Sequence, residues 1–279
     1  MTTCYFVSDL HGNKLKYELL IHEIIRNKPS FLFLGGDLLP HVKVSDKQKT
    51  NVINPFIHDY LIPLFKSMQR QLGCNYPEVY LILGNDDYKT DIPGIIEGVN
   101  SDLWKFLDSS SLKFGPYNIY GYSCVPPTPF RLKDWEKYDI DKTVPQGSIG
   151  PEDGFKGVVP NPDDSPLIID DLDALAGDEK MEKAIFIIHT PPFNSFLDQI
   201  QGGVSIGSKA VARFIEEKQP YITLHGHAHE SSTLTGNWRQ QFGRTHSFSA
   251  AYEGKGLSLV IFQIDNPQLA ERKIIEKSM

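Results

Sequence analysis

Five short apolar runs in this chain each stop abruptly at a cluster of Gly, Asp, Asn and His, and this recurrence is the strongest constraint on its fold. Cys4–Ser8 leads into Asp9-Leu10-His11-Gly12-Asn13, Phe31–Leu34 into Gly35-Gly36-Asp37, and Val79–Leu83 into Gly84-Asn85-Asp86-Asp87. Ile185–Ile188 leads into His189-Thr190-Pro191-Pro192, and Tyr221–Leu224 into His225-Gly226-His227-Ala228-His229. Short runs of β-branched, aromatic and aliphatic residues bounded by turn formers read as buried strands. Between the first two runs Leu15, Leu19, Ile21, Ile24 and Ile25 recur at helical spacing over Asn13 to Asn27. Residues 4–34 therefore read as strand, helix, strand, a βαβ unit with parallel strands and a right-handed crossover. A helical stretch from about Thr50 to Leu72, interrupted at Pro55 and Pro63, precedes the third run, and a helix over Lys209 to Lys218 precedes the fifth. Leu257 to Ile264 reads as a further strand. The pattern is that of an α/β protein with a layered core. Ligands of open α/β sheets bind beyond the carboxyl ends of the strands, so the five clusters are expected to converge.

Five of the nine histidines, His11, His189, His225, His227 and His229, fall in these clusters. A place that gathers Asp, Asn and several His suits a metal ion. Imidazole and carboxylate donors favour Zn, Fe or Mn, and the absence of Cys from the clusters argues against a closed structural zinc site. Asp9 and His11, like His227 and His229, are two residues apart, which on an extended strand end points both side chains the same way. His22, His41, His58 and His246 belong to no cluster and read as ordinary surface or core residues.

Asp-x-His, Gly-Asp, Gly-Asn-x-Asp, His and Gly-His-x-His, in this order and at strand ends, resemble the calcineurin-like metallophosphoesterases, over residues 9 to 229. The resemblance implies a four-layer sandwich of two mixed β-sheets flanked by helices. It also implies that Asp9, His11, Asp37 and His229 hold one divalent ion and that Asp37, Asn85, His189 and His227 hold a second, with Asp37 shared. A hydroxide bridging the two ions would then attack phosphorus in line, with Asn85 also meeting the substrate. One position departs from the pattern: most members carry Gly-Asn-His-Asp or Gly-Asn-His-Glu, and this chain has Asp86 in place of that His. The usual proton donor to the leaving group is thereby lost. An ionised carboxylate neither donates a proton nor tolerates a phosphate dianion, whereas a diester carries about one negative charge. The expectation is a phosphodiesterase, like family members with a non-His residue here, with a phosphomonoesterase as the alternative. Either a protonated Asp86 or His225 is the candidate replacement acid, and a hydrogen-bonding role behind the ligands is the other reading of His225. Asp87 is expected to support its loop.

Two other readings compete. Gly203-Val204-Ser205-Ile206-Gly207 matches the G-x-S-x-G of serine hydrolases, but no sustained strand precedes it; a turn with Ser205 or Ser208 capping the next helix explains it better. A non-catalytic binding module of the same fold, with structural metals, would also fit the loss of the motif His.

The remaining sequence narrows partners. The chain carries a net charge of −7, and 134–182 holds fourteen Asp/Glu against four Lys, so the rest is slightly basic. No basic footprint for nucleic acid or an anionic membrane appears, and with the resemblance this makes a small phosphoester the expected substrate. The span 125–178 contains eight prolines and little periodicity and is expected to be a mostly solvated excursion from a single domain over 1–279. Within it Arg131 is a candidate phosphate contact, and Trp135 and Tyr138 either stack on substrate or anchor the excursion. Three dispersed cysteines, no long apolar stretch and no basic, apolar leader lead to an expected cytoplasmic location.

Overall fold

The computed structural model describes residues 2–41 and 54–277. In chain order the elements are β1 (Thr3–Val7), α1 (Lys14–Asn27), β2 (Phe31–Gly35), a π-helical turn (Ile57–Leu61) running into α2 (Ile62–Leu72), β3 (Glu78–Ile82), α3 (Ile92–Asn100), β4 (Lys105–Phe106), β5 (Ser110–Phe114) and β6 (Tyr117–Tyr122). Then come α4 (Ile168–Ala176), β7 (Ala184–Ile188), β8 (Gln199–Ile200), β9 (Val204–Ser205), α5 (Lys209–Lys218), β10 (Ile222–His225), α6 (Ser231–Thr235), β11 (Arg239–Phe242), β12 (Thr245–Ser249), β13 (Leu257–Gln263) and β14 (Asn266–Ile275).

Two six-stranded sheets carry the fold, ordered β14-β13-β1-β2-β3-β4 and β11-β12-β10-β7-β6-β5. The first pairs β1, β2, β3 and β4 in parallel and adds β13 and β14 antiparallel. The second pairs β6, β7, β10 and β12 in parallel, with antiparallel β5 and β11 at its edges. Strand alternation decides which side chains meet. Cys4, Phe6, Phe31, Phe33, Tyr80 and Ile82 from the first sheet pack against Ile119, Ile185, Ile187, Ile222, Leu224 and Phe248 of the second. The odd-phase residues Tyr5, Val7, Leu32 and Leu34 face outward, and so do Tyr120, Phe186 and Ile188; all are buried among helical side chains. Both faces of each central strand are thus apolar, which is why they read as continuous rather than alternating runs. The result is the expected four-layer sandwich.

The first helix begins where Asn13 turns its side chain onto Leu15 N–H and Lys16 N–H, satisfying two of the free amide donors of the first turn. Its buried stripe is Tyr17, Leu20, Ile21 and Ile24, with Leu19 and Ile25 partly covered.

The 125–178 span is less solvated than its composition predicts. Its last part is α4, whose Ile168, Leu172 and Ala176 join the core beside α5. Nearer its start, Lys133 and Glu136 form an ion pair whose side chains are wholly buried, and Trp135 is covered by the Lys89 ammonium. Tyr138 gives its hydroxyl hydrogen to Glu152 within the same span, so of the two aromatics Trp135 is the one held against the body. The start of the Thr50–Leu72 helical reading lies outside the described residues; Pro63 falls where the π-helical turn passes into α2, so it does not interrupt the helix. Among the described residues no helix is long and apolar enough to cross a membrane.

Candidate metal centre

The parallel strands of the two sheets end on the same side, and their loops are stitched together. Asp9 N–H donates to Gly36 O, His11 N–H to Asp37 O, His189 N–H to Tyr122 O and Gly226 N–H to His189 O. The His189 ring joins the sheets directly, its Nδ1 lying 2.7 Å from Gly35 O. That bond would place the Nδ1 hydrogen on the carbonyl and, with the ring neutral, leave Nε2 free, the arrangement a metal-ligating histidine needs. Nε2 in turn sits 3.2 Å from Asn85 Oδ1 and 3.3 Å from Asp37 Oδ2. His227 places its ring 5.4 Å from that of His189.

A second group lies beside it. His229 Nε2 is 3.0 Å from Asp9 Oδ1 and 3.2 Å from His11 Nε2, and His11 Nε2 is 3.9 Å from Asp37 Oδ2. One ligand atom from each of Asp9, His11, Asp37 and His229 falls within 4.8 Å of the others. Asp37 is common to both groups.

Close packing of these donors demands unusual backbone. Asp9, His11, Asp37 and His227 all have positive φ, between 45° and 69°, a region that non-glycine residues rarely occupy. Two glycines make room: a Cβ at Gly36 would lie 2.6 Å from His189 Nδ1, and one at Gly84 would collide with Asp37 Oδ1. Asp87 holds the loops together, accepting from the amides of Leu38, Leu39 and Gly84 at 2.8 to 3.1 Å, which is the supporting role expected of it. Ser8 donates to Asp9 Oδ2 and His227 N–H to Asp9 Oδ1, while Asp86 N–H donates to Asp37 Oδ1.

The electrostatics follow from the close packing of these donors. Asp9 and Asp37 are buried, and burial alone would raise their pKa values; the charges of His229 and His189, respectively, outweigh it and hold Asp9 far below the carboxylate range and Asp37 at about 2. Reciprocally, burial depresses His189 and His229, but Asp37 lifts the first to about 10 and Asp9 lifts the second to about 9. His227, by contrast, is pushed down to about 3 by burial and by His189. Two buried carboxylates need compensating positive charge. Divalent cations would supply it in place of imidazole protons, and the oxygen and nitrogen donors present suit them.

Two residues, Arg131 and His41, differ from their sequence reading, and His225 takes the hydrogen-bonding one of its two. His225 is wholly buried but turned into the sheet: Nδ1 contacts Ile188 O and Thr190 O, and Nε2 contacts Thr223 Oγ1 at 2.8 Å. With both ring nitrogens engaged away from the cluster, it is not brought to the reaction site. Arg131 is exposed and does not line the cleft above the cluster. His41, read as ordinary, does line it: its ring stacks on His11 with centroids 5.1 Å apart, and Nε2 lies 3.3 Å from Asp86 Oδ2. No motif announces His41, because it sits in the turn after Gly-Asp rather than in it. Asp86 is at the mouth as expected, its side chain 20% exposed, and its pKa is raised to about 8 by burial and by Asp37 and Asp87 nearby. Ser205 lies on the two-residue strand β9, paired with β8, and Ser208 caps α5 through Val211 N–H, so the G-x-S-x-G match is not a strand-to-helix nucleophile turn.

Comparison with known proteins agrees with this geometry. The profile of the calcineurin-like phosphoesterase family matches residues 2–231. One crystal structure superposes with a TM-score of 0.62 at 14% identity, covering 99% of each chain. The crystal structure of TT1561 of Thermus thermophilus superposes with a TM-score of 0.58 at 13% identity, again over 99% of each chain. At these identities the likeness speaks to fold. No curated protein matches the chain.

Proposed function

From the calcineurin-like phosphoesterase family, to which the chain belongs across residues 2–231, we propose that it hydrolyses phosphodiesters with two divalent cations, manganese, iron or zinc. Asp9, His11, Asp37 and His229 would hold one ion, and Asp37, Asn85, His189 and His227 the other. When bound, such ions polarise the phosphoryl oxygens and make water a nucleophile at neutral pH. The chain's own residues supply the rest. The Gly35 carbonyl fixes the His189 tautomer, the Asp86 amide fixes Asp37 Oδ1, and Asp87 locks the loops that carry Asp37, Asn85 and Asp86. Asn85 keeps its amide nitrogen toward Asp86 Oδ1, at 3.3 Å, and its amide oxygen toward His189.

The observation that carries the diester reading is Asp86 at the mouth of the cleft, where a histidine would serve a monoester. Asp37 and Asp87 already concentrate negative charge beside it. Burial and that negative charge hold Asp86 largely protonated at neutral pH, and the same charge would oppose a monoester dianion more than a diester, which carries about one charge. The test compares wild type with Asp86→His and Asp86→Ala, assayed with Mn²⁺ on bis(4-nitrophenyl) phosphate and 4-nitrophenyl phosphate. Asp86→His is expected to shift the ratio of kcat/KM values toward the monoester by about tenfold or more. Unchanged ratios in both variants would remove Asp86 from substrate choice, and inactivity of wild type with every metal would favour a binding module.

A further inference from the structure

The cleft over the metal ligands has a volume of 430 Å³, and its lining divides by chemistry. His11, Asp86 and His229 form the polar part with His41, while Tyr88, Phe130 and Leu132 form an apolar part. Phe130 is 57% exposed, a large aromatic side chain standing largely in water.

The segment that presents it is held firmly. Thr128 N–H and hydroxyl donate to the two oxygens of Glu136, and Lys133 Nζ donates to Thr128 O and to Glu136. Phe130 N–H donates to Thr128 Oγ1 at 3.1 Å. On either side of Leu132, Phe155 N–H donates to Arg131 O and Lys133 N–H to Phe155 O. Asp134 then fastens the segment to the loop bearing Asn85 and Asp86, accepting from Lys89 N–H at 2.8 Å. Burying a Lys and a Glu completely is costly unless every polar atom is matched, and here the matching atoms belong to the residues just before Phe130. A loop anchored this way keeps Phe130 at the cleft instead of letting it fold into the core.

We infer that Phe130, with Leu132 and Tyr88, is a subsite for an aromatic ester group of the substrate. The inference rests on the phosphodiesterase reading and names the substrate class within it: a diester carrying at least one planar aromatic ring. That ring would cover the exposed Phe130 face while the phosphoryl group meets the polar wall, and two aromatic rings in offset or edge contact gain beyond their buried area.

Equilibrium binding tests this without turnover. Diphenyl phosphate and dimethyl phosphate are titrated into Mn²⁺-loaded wild type, Phe130→Ala and Phe130→Tyr by calorimetry, and hydrolysis of bis(4-nitrophenyl) phosphate is followed in parallel. Wild type is expected to bind the diphenyl ester about tenfold more tightly than the dimethyl ester, Phe130→Ala to lose that preference, and Phe130→Tyr to keep it. Equal affinities in wild type, no binding of diphenyl phosphate, or a preference that survives in Phe130→Ala would overturn the subsite. A preference lost in Phe130→Ala in a protein that hydrolyses nothing would keep the subsite and sink the diesterase reading; hydrolysis with no preference would do the reverse.

Discussion

At the scale of single residues the centre is organised around Asp37. Its carboxylate reaches both histidine groups, 3.3 Å from His189 and 3.9 Å from His11, and its Oδ1 is engaged by the Asp86 amide. Asp37→Asn keeps an oxygen for that amide and removes the charge. The fold should survive, as circular dichroism would report, while elemental analysis should find bound metal lost and activity should fall at least about 100-fold. A variant that retains both ions and full activity would refute the shared ligand. Asp9, His11, Asp37, Asn85, His189, His227 and His229 were all legible in the sequence, because Gly, Asp, Asn and His at a strand end have few structural reasons to recur five times. What could not be read was how they meet. Four of the seven adopt left-handed backbone, a conformation set by the loops packed against them and not by local residue preference. His41 and His225 are the two exchanges that follow: adjacency in sequence favoured His225, whereas tertiary packing turned its ring into the sheet and brought His41 to Asp86.

At the scale of elements, β1, β2, β3, β7, β10 and β13 were legible, and β12 and β14 were not. β14 has only Pro267 and Ala270 buried along its length, and β12 packs Thr245, Ser247 and Ser249 inside, with Ser247 Oγ 2.7 Å from Thr223 Oγ1. A strand whose buried side chains are largely hydroxyls leaves no apolar period to detect. The segment from Thr128 to Glu136 hides for a related reason, since its interior is an ion pair and its composition reads as solvated. Lys133→Met would leave the Glu136 carboxylate buried and unpaired, at a cost of about 3 to 5 kcal/mol. The expected consequence is faster hydrogen exchange at the Phe130 and Lys133 amides, which the anchored segment protects. Adding Glu136→Gln, which removes the stranded charge and keeps an acceptor for Thr128, should recover most of that protection. Wild-type exchange in the single variant would mean that the backbone bonds to Phe155 suffice.

At the scale of the whole molecule, the centre belongs to neither sheet. Asp9, Asp37 and Asn85 follow β1, β2 and β3 of the first, and His189, His227 and His229 follow β7 and β10 of the second. Each proposed ion would take ligands from both, so metal binding and the apposition of the sheets are thermodynamically linked. The net charge of −7 bears on this less than its location does, because the acidic excess lies in 134–182 while Asp9 and Asp37 carry the buried charge at the cluster. A ligand that binds only the folded state stabilises it by RT ln(1 + [L]/Kd), about 2.7 kcal/mol at a hundredfold excess over Kd. In a chain of this size that corresponds to a rise in Tm of roughly 5 to 10 °C for each site. Thermal unfolding in EDTA and in graded Mn²⁺ should show the midpoint climbing with the logarithm of metal concentration. In Asp37→Asn, where the ligand shared by the two groups is gone, the climb should be largely lost. Identical midpoints with and without metal in wild type would separate the cluster from cation binding in the native fold, and the proposed phosphoester chemistry would lose its electrophile.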